Sequence, residues 1–403
     1  MRKANKKDNK DKKYLETEQE GPFKVNNLIL ALNKSKKYLE GEWKDAKIIS
    51  IRQGINSNIK TEEITEIYVH YEGTNRRCDE WISVDRAKAW EETQRKRDMA
   101  NEPILEHDEH EGYDEKVIAI HEESTKFKTI GFIELGKFRC ETWYFSPFPD
   151  YYQNIDTLYI CEFCLSFYKF KQELIRHEKK CKIMHPMGNE IYRDGDISMF
   201  EVDGARNIAY CENLCYISKL FLDHKNLSYD VEPFLFYVLT EADEYGCHIA
   251  GYFSKEKESS MSYNLSCILV LPFMQRKGFG KFLITFSYEL SKIEQKVGTP
   301  ERPLSDLGYA SYFSWWTGEI VKVLETHQGQ QLSINDISQK SYIKQADIME
   351  VLDKLNILRY CQGNHILYSN PEYLNEIKKT IVGKPGRNMY PENLHWKPLK
   401  IIN

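Results

Sequence analysis

The chain has 403 residues, 41% of them hydrophobic and 29% charged, with a formal net charge of −5 at pH 7. That length supports two or three domains with a sizeable core, and that balance is the composition of a globular protein. It excludes nucleic-acid binding by bulk attraction, no apolar run approaches the roughly 18 residues of a membrane span, and the start MRKANKKDNKDKKY has no secretory signal. The ten cysteines are therefore read as reduced thiols and metal ligands of a cytosolic or nuclear protein.

Residues 1–37 read as a basic, disordered tail, since the first 13 hold seven Lys or Arg against two Asp and no apolar pattern. A solvated arm and a nuclear-import or nucleic-acid-touching arm both fit it. From 38 to 90 the pattern changes to short alternating runs, Ala46–Ile51, Glu63–Tyr71 and Trp81–Val84, which predict a small β-barrel with a hairpin loop at Gly54–Lys60 and a turn at Glu72–Asn75. Tyr68, Tyr71 and Trp81 are the rings available for an aromatic cage, with core packing as their ordinary role, and Arg76 and Arg77 offer a basic edge. Residues 91–115 carry ten acidic side chains against three basic ones and read as a self-repelling, extended linker.

Residues 116–403 form the largest predicted domain. Val117–Ile120 and Thr129–Ile133 are candidate strands. Residues 158–183 then contain Cys161-x2-Cys164-x12-His177-x3-Cys181. A CxxC turn supplies two thiolates, His177 and Cys181 share one face of a helix, and four such donors make a closed tetrahedral zinc site, structural rather than catalytic. Phe170 and Leu174 are its predicted small core. Cys211 and Cys215 lack a second pair at finger spacing and read as buried packing residues.

Phe234–Leu239 and His248–Phe253 predict adjacent strands joined by the acidic turn Asp243–Gly246. The stretch Cys267–Lys281, CILVLPFMQRKGFGK, then reads as strand, turn, glycine-spaced loop and helix, because Pro272 ends the strand and Phe279, Phe282, Leu283, Phe286, Leu290, Ile293 and Val297 recur at helical spacing. A helix N-terminus beside Arg276, Lys277 and Lys281 suits a pyrophosphate, although a tight turn into an amphipathic helix reads the same way. Glu301, between Pro300 and Pro303 and next to Arg302, is by spacing alone an ordinary loop ion pair. Beyond it Ser333-x-x-Asp336 starts a helix, Ile348, Val351, Leu352 and Leu355 make an apolar face, and His365–Tyr368 is a candidate closing strand.

The loop, together with SKLFLDHK at Ser218–Lys225, GYFSKEKES at Gly251–Ser259, FSYELSK at Phe286–Lys292 and PLSDLG at Pro303–Gly308, resembles the MYST family of lysine acetyltransferases over about residues 116–400. YVHYEGTNRRCDEW resembles the chromobarrel (Tudor-knot) that precedes the catalytic domain in one branch of that family. The resemblance implies an α+β chain: a chromobarrel, then a MYST/GNAT-like α/β acetyltransferase domain with an embedded zinc finger, an acetyl-CoA core at 208–312 and a winged-helix-like end at 313–400. It implies a nuclear histone acetyltransferase, the catalytic subunit of a multiprotein complex, using acetyl-CoA and structural Zn2+, with histone tails or nucleosomes as substrates and a methyl-lysine or nucleic-acid ligand for the barrel. Glu301 matches the general base and Cys267 the active-site cysteine, acting as acetyl acceptor or lining the site while lysine attacks directly, the route favoured here. Ile268, Leu269, Val270, Gln275, Arg276, Lys277, Gly278, Phe279, Gly280, Lys281, Ser305 and Ser314 match cofactor-binding positions. Lys219 matches an autoacetylated lysine. The alternative reading is a chromatin-binding scaffold with a weakened acetyltransferase fold.

Overall fold

The computed structural model describes residues 23–33, 42–55, 62–89, 127–223, 225, 230–328, 331–361, 364–382 and 387–398. The chain falls into two compact units, Met1–Lys126 and Phe127–Asn403. The expected linker at 91–115, the strand at Val117–Ile120 and the first 22 residues of the basic tail lie outside the described residues.

The first unit is one antiparallel sheet built from β1 (Leu28–Asn33), β2 (Glu42–Ile55), β3 (Glu62–Tyr71), β4 (Glu80–Ser83) and β5 (Ala87–Ala89), in the order β4-β3-β2-β1-β5. Strand β1 corrects the expected boundary. LILALN, expected in the tail, buries Ile29 and Ala31 and pairs with both β2 and β5. Its two-residue period was overshadowed by the lysines around it. Strand β2 continues through Gly54 and Ile55, shortening the expected loop, and register shifts at Ile48/Ser50 and Arg52/Gln53 let so long a strand bend.

The sheet also overturns the aromatic cage. Tyr71 is wholly buried, with its hydroxyl donating to Glu80 at 2.8 Å, and Tyr68 is buried too. Trp81 carries the Arg52 guanidinium 3.9 Å above its ring. A cage needs exposed ring faces converging on one cation, whereas these rings are spent on packing and on an internal cation–π contact.

The second unit begins with a four-stranded sheet, β7-β6-β8-β9, from β6 (Ile130–Leu135), β7 (Phe138–Glu141), β8 (Ile155–Ile160) and β9 (Phe167–Tyr168), followed by the short helix α1 (Lys171–Glu178). The central sheet has the order β10-β11-β12-β13-β15, all antiparallel: β10 (Asn189–Asp194), β11 (Ile197–Asp203), β12 (Phe234–Asp243), β13 (Gly246–Glu256) and β15 (Ile268–Val270). Because β10 and β11 belong to it, the acetyltransferase core starts before residue 208. Helix α2 (Ile208–Lys219) buries Cys211 and Cys215, as expected of packing thiols.

Strand β14 (Tyr263–Leu265) pairs in parallel with β16 (Thr299–Pro300), on either side of α3 (Phe279–Ile293). Helix α3 buries Phe279, Phe282, Leu283, Phe286 and Leu290 as its periodicity requires, but Ile293 is exposed because the helix ends there. The long helix α4 (Asp306–Thr326) buries Trp315 and Trp316 against α3, and both indoles find acceptors: Trp315 Nε1 donates to Thr285 Oγ1 and Trp316 Nε1 to the Tyr288 hydroxyl, each at 2.8 Å. A buried N–H left unpaired would cost about 1–3 kcal/mol.

The C-terminal part contains α5 (Ile334–Ser341), α6 (Gln345–Lys354), an antiparallel hairpin of β17 (Leu358–Cys361) and β18 (Asn364–Leu367), and α7 (Pro371–Ile377). Ser333 and Asp336 form the expected capping box, and Ile348, Val351 and Leu352 are buried in the common core. The expected boundary at 313 falls inside α4.

Tyr288→Phe should therefore lower stability by about 1–3 kcal/mol in chemical denaturation, because it strands the Trp316 N–H. Adding Trp316→Phe should cost less than the sum of the two single changes, since the second removes the orphaned donor.

Candidate active site

A single strand interrupted in the middle creates the site. Strand β14 ends at Leu265 and β15 begins at Ile268, with Ser266 and Cys267 at the break. The first half pairs with β16 and the second with β13. Strand β16 then stops at Pro300, so nothing among the described residues pairs with the outer edge of β15. Two turns of the ladder define which groups face that edge. Cys267 carbonyl accepts from Ser254 N–H, and Leu271 N–H donates to Ala250, both across to β13. By the alternation of an antiparallel pair, the peptide groups of Ile268 and Val270 point the other way, and Gln275 Nε2 duly donates to the Val270 carbonyl at 3.1 Å. Leu269 turns its side chain into the core. Gly251 lets β13 come this close: a Cβ there would lie 2.5 Å from the Leu269 carbonyl oxygen.

Gln275–Gly280 follows as an open loop into α3. Arg276 and Gly278 take positive φ values of 62° and 89°, and Gly278 is the N-cap. The first helical bond runs from Phe282 N–H to the Gly278 carbonyl, so the amides of Phe279, Gly280 and Lys281 have no acceptor within the helix. A Cβ built on Gly280 would stand 3.9 Å from Val270 Cγ2 and 4.0 Å from Ser311 Oγ, which marks a cradle between loop and α4. Arg276 and Lys277 are exposed beside it. This is the donor set that a pyrophosphate takes at a helix N-terminus. Phe279 differs from expectation, because its side chain is buried and only its amide can serve. Ser305 is the N-cap of α4, accepting from Gly308 N–H at 3.1 Å, and Ser314 is half-buried further along that helix. Ser311, which spacing did not single out, lines the cradle.

Glu301 emerges where β16 leaves β14. Its N–H donates to the Leu265 carbonyl at 2.8 Å, and the next side chain, Arg302, donates to Asp347 at 2.8 Å and Glu350 at 3.1 Å on α6. The loop is thus tied on both sides. Burial raises the Glu301 carboxyl above its ordinary range, the neighbouring Ser266 hydroxyl lowers it, the charge of Glu256 raises it and Lys225 lowers it, with the balance upward. The acid therefore holds its proton to a higher pH than a free glutamate does.

Cys267, at the same break, has Lys225 Nζ 3.5 Å from its Sγ. Burial disfavours the Lys225 ammonium, the Cys267, Tyr252 and Cys215 groups around it favour it, and the balance lies on the charged side. Lys219, the lysine expected here, instead donates to the carbonyl of Asp223 at the end of α2. Both lysines lie in the SKLFLDHK segment. Which one reaches the site depends on the turn after α2, which no periodicity reveals.

Away from this cleft, the ligand atoms of Cys161, Cys164, His177 and Cys181 all lie within 4.8 Å of one another. Leu165 at φ 60° closes the knuckle, with its N–H donating to the Cys161 carbonyl at 2.9 Å. Three thiols and an imidazole gathered this closely suit tetrahedral zinc. Leu174 is buried beside them, but Phe170 is 54% exposed and starts α1 instead of joining the small core. The finger is bound to the central sheet through Cys247 N–H to the Met184 carbonyl at 2.8 Å and through Glu162, 2.7 Å from His248. Metal analysis should find about one zinc per chain, lost in Cys164→Ser, and chelation should lower the thermal midpoint of the whole second unit.

Three family models match in order along the chain: the RNA binding activity-knot of a chromodomain at residues 32–89, the MYST family zinc finger domain at 127–181 and the MOZ/SAS family at 185–394. Histone acetyltransferase of the MYST family 1 from Arabidopsis thaliana is 46% identical over 378 residues, covering 90% of this chain and 83% of that one. The histone acetyltransferase Tip60 homolog of Caenorhabditis elegans is 41% identical over 413 residues, covering 89% and 88%. Histone acetyltransferase ESA1 of Eremothecium gossypii is 41% identical over 401 residues, covering 89% and 90%. With three matching domains in sequence and relatives aligned over nearly their full length, this chain belongs to the MYST family of histone acetyltransferases.

Proposed function

We propose that this enzyme transfers the acetyl group of acetyl-CoA to the ε-amine of lysine in histone tails, with Glu301 as general base. The observation that carries the reading is the strand break, where Glu301, Cys267 and the outward amides of Ile268 and Val270 meet. An ammonium has no lone pair, so a carboxylate with a raised pKa is suited to take its proton near neutral pH. The Ile268 and Val270 amides receive the thioester carbonyl and the pantetheine arm. The amides of Phe279–Lys281, with Arg276 and Lys277, take the pyrophosphate. Gln275 positions the loop through Val270, and Ser305 and Ser314 are assigned to the cofactor on the family resemblance.

Direct attack of the substrate amine on the thioester is favoured over an acetyl-cysteine, because Cys267 already has a lysine amine beside its sulfur. If the enzyme acetylates itself, Lys225 is the acceptor in place of Lys219. For the N-terminal domain, the Arg76–Arg77 edge supports a nucleic-acid ligand over a methyl-lysine, whose cage the packing of Tyr71 and Tyr68 removes. Action on histones within a multiprotein complex in the nucleus completes the proposal.

Glu301→Gln should lower kcat/KM on a histone-tail peptide by about 100-fold or more, with partial recovery at high pH where the amine deprotonates unaided. In the wild type the acid limb of the profile should lie above the usual glutamate range near 4.3, since catalysis requires the carboxylate and burial favours the acid. The same shift makes ionisation of Glu301 a cost to folding as pH rises through its folded pKa. Glu301→Gln should then be at least as stable as wild type at neutral pH by denaturant melting. Cys267→Ala retaining transfer supports direct attack; its complete loss, with acetyl-CoA binding intact, would establish the acetyl-cysteine route.

A further inference from the structure

Cys267, Lys225 and Cys215 form a cluster that acetyl transfer does not need in full. Lys225 Nζ lies 3.5 Å from Cys267 Sγ, and the same amine faces Cys215, a buried thiol on α2. Tyr252, 1% exposed, borders this pocket beside the same amine and both thiols. An amine and two thiols are thus brought together from three separate parts of the chain: α2, the segment after it, and the break before β15. A substrate lysine arriving from outside requires no resident amine against Cys267. Such an amine is, however, the nucleophile that an oxidised Cys267 would meet first.

The geometry points to a reversible oxidative modification site, in which hydrogen peroxide converts Cys267 to a sulfenic acid that Lys225 captures as a sulfenamide. In the first step the sulfur attacks a peroxide oxygen: the O–O bond breaks, an S–O bond forms, sulfur is oxidised, peroxide is reduced and one water leaves. In the second step Lys225, an ammonium at rest, first loses one proton to solvent once oxidation removes the Cys267 group that favours its charge; the amine so formed attacks that sulfur, the S–O bond breaks, an S–N bond forms, and the hydroxyl departs as water with a second proton given up by the nitrogen. One thiol, one amine and one peroxide become one sulfenamide and two waters. Sulfenic acids condense readily with a neighbouring thiol or nitrogen, and here both kinds of nucleophile are within the pocket.

The link leaves a covalent bridge at the strand break that carries Cys267 and the outward amides of Ile268 and Val270, so acetyl transfer falls by obstruction of the site, not by loss of a catalytic thiol, until a thiol reductant attacks the S–N bond. It also competes with acetylation of Lys225, because each consumes the same amine. The inference concerns the pocket and not the identity of the base, and a mass measurement reads it whether or not Glu301 acts as proposed.

The full-length, zinc-loaded protein is treated with hydrogen peroxide, alkylated, digested and mapped by mass spectrometry. The expected result is a joined peptide pair containing Cys267 and Lys225 with the loss of two hydrogens. Acetyl transfer should fall in parallel, and dithiothreitol should reverse both. Lys225→Arg keeps the charge without the reactive amine and should divert Cys267 to sulfinic acid or to a disulfide, whereas Cys215→Ala should keep the link. The proposal is overturned if wild-type Cys267 resists peroxide, or is recovered only as sulfenic or sulfinic acid, as a Cys215 disulfide, or joined to another lysine. Because the wild-type map alone decides this, failure of either variant to fold leaves the test intact.

Discussion

One strand cannot pair on the same side with a neighbour that has ended, and the acetyltransferase unit is arranged around that constraint. Strand β16 contributes two residues, Thr299 and Pro300, and Pro300 brings no N–H to extend the ladder. Up to Leu265 the strand has a partner on that side; from Ile268 onward it has none among the described residues. The free edge turns the amides of Ile268 and Val270 outward, the departing chain carries Glu301, and the broken strand carries Cys267. The proposed cofactor edge, the proposed base and the thiol therefore share one geometric origin.

Keeping such an edge open demands rigidity elsewhere. The stacked rings of Tyr237 and Phe253, with centroids 4.7 Å apart, and the aromatic face of α3 fill the other side of the sheet. The two tryptophans of α4 lock that helix to α3 through their indole hydrogen bonds. Arg302 ties the base-bearing loop to α6, where Asp347 is 2% exposed, so the helices far along the chain help to position a loop that precedes them. The C-terminal helices thus help to hold the loop that carries Glu301.

The thiols divide by environment. Four donors at one end of the unit converge on a metal-sized space, whereas Cys215 and Cys267 converge on a lysine amine. A thiolate gathered with three other donors is stabilised by a cation, while a thiol facing a single amine is left open to covalent chemistry. The same residue type serves the two ends of the domain in opposite ways, and the difference is the number of neighbours each sulfur meets.

Much of this was legible in the chain itself. The zinc ligands, the α3 periodicity, the capping box at Ser333 and the end of the strand at Pro272 are local signals, because each arises from residues within a few turns of one another. The family resemblance added Glu301 and Cys267, to which spacing alone assigned no more than an ion pair and a strand residue. What remained for tertiary structure was every question of which side chain meets which across the fold. Burial of Tyr71 and Tyr68 against the sheet removed the cage, burial of Phe279 left only its amide for a ligand, and LILALN joined the sheet despite its lysine-rich surroundings. The chain after α2 brought Lys225, and not Lys219, to Cys267. Local sequence determined the elements and their caps through backbone hydrogen bonding and hydrophobic period. The packing of distant segments decided the environment of each reactive group, because burial, charge and contact with a neighbour 42 residues away are properties of the assembled fold.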